Sequence, residues 1–195
     1  MTAAEHDIIK AAMDQFPLAF EHANPQRRSE RKFLKHAVSL DGMNLYFASK
    51  ELRADQLTVE AAIQQNPLAL GAAPEKLRTS LGSDRALMEA AVNVNGRALQ
   101  YASAALKADK ALVMAAVAQD SFALEFAADF LKNDKEVVLA AAQGGRGGGA
   151  VHMFASKHLR KDDDVDLACM PPTVRYATLA ARAAFENSRS NNQGS

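Results

Sequence analysis

Between residues 84 and 134 the chain states one pattern twice. Asp84 is followed by Ala90-Ala91-Val92, Asn95-Gly96, Ala98-Leu99, Tyr101-Ala102 and Leu106. Shifted by 25 residues, Asp109 is followed by Ala115-Ala116-Val117, Asp120-Ser121, Ala123-Leu124, Phe126-Ala127 and Leu131. A fixed period of about 20–50 residues means stacked supersecondary units, each too small to bury its own apolar face. That constraint excludes an ordinary globular reading and fixes the fold class as an array.

The register extends over most of the 195 residues. Units open at Glu5, Glu30, Asp55, Asp84, Asp109, Asp134 and Asp162, with steps of 25 residues except for 29 after Asp55 and 28 after Asp134. The extra residues fall around 78–83 and in Gly144–Gly149, where loops tolerate them. Small residues recur at two places per unit. The seventh after the acid is Ala37, Ala62, Ala91, Ala116 or Ala141; the eighteenth is Ala48, Ala73, Ala102 or Ala127. Both read as points of close helix approach, where a larger side chain would overpack. Apolar residues around them follow a 3.6-residue period, and Asp41-Gly42, Asn66-Pro67 and Asn95-Gly96 mark turns. Each unit is therefore predicted to be a helix of about ten residues, a turn, and a second helix of about ten. The opening acid reads as an N-cap and dipole partner.

The phrase from Asp109 to Val117, then Ala123-Leu124-Glu125-Phe126-Ala127 and Leu131-Lys132-Asn133-Asp134 leading into Val137-Val138-Leu139-Ala140-Ala141, resembles the repeats of domain-of-unknown-function family 4116. The resemblance implies a helical-repeat protein and brings with it no activity and no functional residues. The expected architecture is an all-α solenoid of about seven helix-turn-helix units over residues 1–186, with a polar, flexible tail at 187–195.

Composition narrows the function classes. Formal net charge is zero, with 23 cationic and 23 anionic side chains, so no nucleic-acid partner is expected. No apolar run reaches the roughly 18 residues of a membrane span. The one cysteine, Cys169, stands at a small-residue position and fits the cytoplasm or another reducing compartment; a cleaved targeting segment is left open. No nucleophile–base set, paired carboxylates, zinc spacing or cofactor fingerprint emerges. Asp162, Asp163, Asp164 and Asp166 lack the glycine and distal glutamate of a calcium loop. No metal, cofactor or catalytic activity is therefore expected.

The chain reads as an interaction scaffold for a protein or peptide, with function at the residues that differ between units. Candidate partner or anion contacts are Arg31, Lys35, Asn44, Arg97, Arg146 and His152. Arg31 and Lys35 belong to a basic cluster with Arg27, Arg28 and Lys32. Arg146 sits in the glycine insertion, a stretch that offers backbone amides to an anion but lacks the Gly-Lys-Ser/Thr ending of a P-loop. His152 occupies the place of a core leucine. The alternatives are a structural subunit of a larger assembly, or a small anion-binding protein or enzyme built on Gly144–His152. The register makes a stability prediction. Ala102→Leu and Ala116→Leu each lower the unfolding free energy by about 1–3 kcal/mol in urea titrations, and a change at Arg97 stays within about ±0.5 kcal/mol, as at a surface site.

Overall fold

A computed structural model describes residues 3–144, 149 and 151–193, and among them it is helical with no strand. Six helices start just after the predicted acids: Arg31–Leu40, Gln56–Gln65, Arg85–Val94, Lys110–Gln119, Lys135–Gln143 and Asp163–Cys169; the first, Ala3–Gln15, already contains Glu5. Their caps follow the sequence reading. The Asp55, Asp84 and Asp109 carboxylates accept the amides of Thr58, Leu87 and Leu112. Asp134 and Asp162 each accept two amides. Glu30 is one methylene longer; it makes no side-chain cap bond and instead takes the Arg27 guanidinium at 2.9 Å.

The second half of each unit departs from expectation. In units one to five no second ten-residue helix forms. A six-residue 3-10 helix is followed by a separate short α-helix, as in Gly42–Phe47 then Lys50–Arg53, and Gly96–Tyr101 then Ala104–Lys107. Two caps eight residues apart cause the split. Asp41 and Asn95 accept the amide two residues on, and Ser49 and Ser103 accept the amide three residues on. Between them Ala48 and Ala102 are extended, with ψ of 158° and 150°. The eighteenth-position alanine is thus a break between two helices, not a helix–helix contact. It is small because the chain there crosses its neighbour: Ser49 N–H donates to Arg28 O at 3.0 Å and Ser103 N–H to Gly82 O at 2.7 Å, with Ala128 and Ser156 repeating the bond.

Opening helices form one layer and the 3-10 segments another, each packed on its counterparts in adjoining units. One continuous apolar cluster fills the space between, from Met13 to Ala168. The seventh-position alanines are buried in it, and here the close approach is real. A Cβ added to Gly96 would lie 2.2 Å from Ala116 O, and one on Gly42 2.3 Å from Ala62 O.

Unit three breaks the regularity. Its insertion lengthens the short helix to Glu75–Leu81. Pro74 has no N–H where Ser49 and Ser103 donate across to the preceding unit. The helices Gln56–Gln65 and Arg85–Val94 pack less closely than other adjoining pairs, leaving a slot of about 150 Å³ lined by Ile63, Leu87 and Val94. At the far end the pattern gives way altogether. After Pro171 a single helix runs Pro172–Gln193, taking in most of the segment read as a tail, and its exposed side chains include Val174, Tyr176 and Leu179. Gly96→Ala and Gly42→Ala are each expected to lower stability by about 1–3 kcal/mol, because the added carbon meets a neighbouring unit's backbone. Urea unfolding checks this, and a neutral result at both would mean that the units are not in this register.

Candidate functional site

Four of the five opening acids seen to cap a helix, Asp55, Asp109, Asp134 and Asp162, also receive a cation from the unit before. Arg31 grips both Asp55 oxygens, at 2.6 and 3.0 Å. Arg85 reaches Asp109 at 2.6 Å, Lys110 reaches Asp134 at 2.7 Å, and Lys135 reaches Asp162 at 2.9 Å. Each cation is the residue that follows its own unit's acid, so an acid–base pair repeated along the chain becomes a ladder across it. Hydrogen bonds from Arg31 and Thr58 hold the Asp55 carboxyl well below the usual carboxylate range. Asp109, Asp134 and Asp162 are lowered in the same direction, first by their cations. The ladder skips one rung. Gln56 replaces the cation, donates to Glu60 at 2.7 Å, and no cation reaches Asp84 among the described residues.

The described sequence candidates do not form one site. Arg31 and Lys35 come together: both line a groove of about 400 Å³ between Arg31–Leu40 and Gln56–Gln65, whose apolar lining includes Val38, Leu57 and Ala61. Asn44 is a correction. It is fully buried, and its Nδ2 donates to Pro17 O at 2.7 Å and Ala37 O at 2.8 Å, tying the first unit to the second. A partner does not reach it. Arg97 is exposed but engaged: its Nε donates to Asp120 at 3.0 Å and its guanidinium lies 4.6 Å from the centre of the Phe122 ring. It bridges units four and five, so Arg97→Ala should cost more than the roughly 0.5 kcal/mol of a neutral surface change, leaving a buried Asp120 carboxylate without its cation.

Arg146 and the rest of 145–148 lie outside the described residues. His152 is half-buried, 3.6 Å from Asp166. The expected leucine-like burial goes instead to Val151, because an α-turn, Val151–Phe154, replaces the 3-10 helix of earlier units. Phe47, Tyr101, Phe126 and Phe154 pack against the core, as their row in the repeat implies. Burial pushes the Cys169 thiol up, away from a reactive thiolate. Burial and the neighbouring Tyr46 push the Tyr101 phenol up to about 12. Among the described residues no cluster of three metal-ligating side chains occurs, and no helix is long and apolar enough to cross a membrane.

The groove at Arg31 and Lys35 has counterparts further along the same face. Between Arg85–Val94 and Lys110–Gln119 the volume is about 190 Å³, and the lining holds Glu89 in place of a cation. Leu57 makes the difference in shape. Units two, four, five and six place Lys32, Ala86, Ala111 and Glu136 at its position, and Leu57 itself is 74% exposed.

The family model described as Domain of unknown function (DUF4116) matches five overlapping stretches, residues 6–53, 30–78, 55–107, 84–129 and 109–145. The chain belongs to this family. Each DUF4116 match begins at, or one residue after, an opening acid, and all but the last, 109–145, cover about two units. No curated protein and no solved structure matches the chain.

Sequence reasoning took the DUF4116 acids for caps alone and missed the cations beside them. The signal was present in Glu30-Arg31, Asp84-Arg85, Asp109-Lys110 and Asp134-Lys135. Gln119 was missed as well. It accepts from the Gly96 amide at 2.6 Å and donates to Val94 O at 3.1 Å, fastening unit five to unit four. The ladder carries a pH prediction. A carboxyl whose folded pKa is lowered stabilises the fold above its ordinary value near 4, and that contribution is lost as pH falls through the folded value. The urea midpoint should therefore drop between about pH 5 and pH 2, and less steeply in an Arg85→Gln, Lys110→Gln, Lys135→Gln variant. At neutral pH Asp109→Ala should cost about 1 kcal/mol through the lost cap and Asp109→Asn less, since asparagine still caps.

Proposed function

We propose that this chain is an interaction scaffold without catalytic activity of its own, which holds a partner protein or peptide against the layer of opening helices. The observation that carries the reading is how the side chains divide. Repeated residues are consumed by the core, the caps and the ladder, while large apolar side chains that differ between units are left in solvent on that layer. Leu57 is 74% exposed and Val94 58% exposed, each beside a groove between adjoining opening helices. Solvent-exposed apolar groups next to concave surface mark protein interaction sites. Among the described residues, the lowered Asp55, Asp109 and Asp134 carboxyls have their cause in pairing and capping.

A second reading is favoured by a separate observation. The exposed Val174, Tyr176 and Leu179 of the final helix suit a subunit held permanently in a larger assembly. Two measurements decide between them. Sedimentation of the purified chain at micromolar concentration is expected to give a monomer; a stable oligomer would favour the subunit reading. Proteins retained from host extract by the wild-type chain should be lost with the Leu57→Asp, Val94→Asp double variant. An identical retained set would contradict docking on this layer.

A further inference from the structure

The groove between Arg31–Leu40 and Gln56–Gln65 differs from its counterparts in size, in charge and in one residue. Its volume is about 400 Å³, against about 190 and 150 Å³ for the grooves further along. Val38 is buried at its base, and Leu57 stands beside it, largely exposed. A leucine side chain in water next to an apolar recess is a site with half of its packing missing.

Charge says what covers it. The helix Arg31–Leu40 carries Arg31, Lys32 and Lys35, all exposed, and no carboxylate. Arg31 is held by Asp55, but Lys32 and Lys35 make no ion pair among the described residues. Acids close by are already engaged: Asp55 by Arg31 and Thr58, Glu30 by Arg27, and Glu60 by Gln56. On the other side of the same helix a second groove, of about 270 Å³, is edged by Lys10 and Lys32 and by Glu30, which Arg27 holds. The chain as a whole is neutral, so this is a local concentration of positive charge around an apolar recess.

We propose that this groove docks an acidic amphipathic segment of the partner protein, with one large apolar side chain seated between Val38 and Leu57 and a carboxylate set on Lys35. The inference rests on the scaffold reading above and names the chemistry of its partner. Helix-in-groove recognition works in this way, with apolar anchors giving the grip and flanking charges the orientation and encounter rate. A membrane surface fits less well, because the apolar floor at Val38 is recessed and a side chain, not a lipid face, reaches it.

Fluorescence anisotropy on the full chain tests the proposal. The probe is a labelled synthetic helix of glutamate with leucine at i, i+3 and i+4 spacing. Its controls are the same peptide with lysine for glutamate, and anionic phosphatidylserine vesicles. The acidic peptide should bind, more weakly at high salt, and Lys35→Glu and Leu57→Asp should each weaken it at least about tenfold. Both positions are exposed, so circular dichroism and the urea midpoint of the variants should match the wild type. The lysine peptide and the vesicles should not bind. Absence of binding by the acidic peptide, equal binding of both peptides, indifference to both variants, or preference for vesicles would each overturn the inference. The scaffold reading is judged separately. If host proteins are still retained through Leu57 and Val94 while the acidic peptide fails, the scaffold stands and the partner's chemistry is other than proposed; if retention fails too, both fall.

Discussion

One carboxylate serves two units at once. Asp109 caps its own helix through the Leu112 amide and takes Arg85 from the unit before it, and Asp134 and Asp162 repeat the arrangement. Helices of ten residues are not stable alone, so each must draw its stability from neighbours. Shared acids, backbone bonds such as Ser103 to Gly82, and glycines pressed on the next unit's carbonyls supply that dependence. Surface ion pairs contribute little individually. Their value here is in setting register, because a cation at the first helical position reaches an acid 24 residues away only if the units are in step.

Where a rung is missing, something else spans the gap. Gln56 leaves Asp84 without a cation and Pro74 removes a backbone donor, so unit three lacks one bond on each side. On one side Gln65 donates to Ser39 O at 3.2 Å; on the other the Tyr101 hydroxyl donates to Leu68 O at 3.4 Å. Gly71 leaves room for the Tyr46 and Tyr101 hydroxyls, and any Cβ there would collide with both. The proposed docking groove borders this same unit. A region with fewer internal bonds and a larger open recess is where an array of this kind has surface left to offer a partner.

Much of the fold was legible because it is periodic. Opening acids, buried alanines and the apolar period all fell where the structure has them, and the family matches begin at the same residues. The split of the second helix was not read, although Asp41 and Ser49, or Asn95 and Ser103, announce two caps eight residues apart. Two caps so close leave no room for a ten-residue helix. The candidate site was legible only in part. Arg31 and Lys35 lie four positions apart on one helix and share its groove, but Leu57 comes from the next unit, and only stacking brings it there. Asn44 and Arg97 were singled out because they differ between units, yet a residue can differ in order to fasten one particular junction. Variation in a repeat therefore marks irregular packing as readily as it marks binding.

Native-state hydrogen exchange tests most directly the claim that shared inter-unit bonds distribute the stability of this array. Amides of residues 85–143, where ladder rungs and backbone rungs are both present, should be protected together and exchange more slowly than those of 56–81. Uniform protection along the chain, or slower exchange in 56–81, would contradict the account.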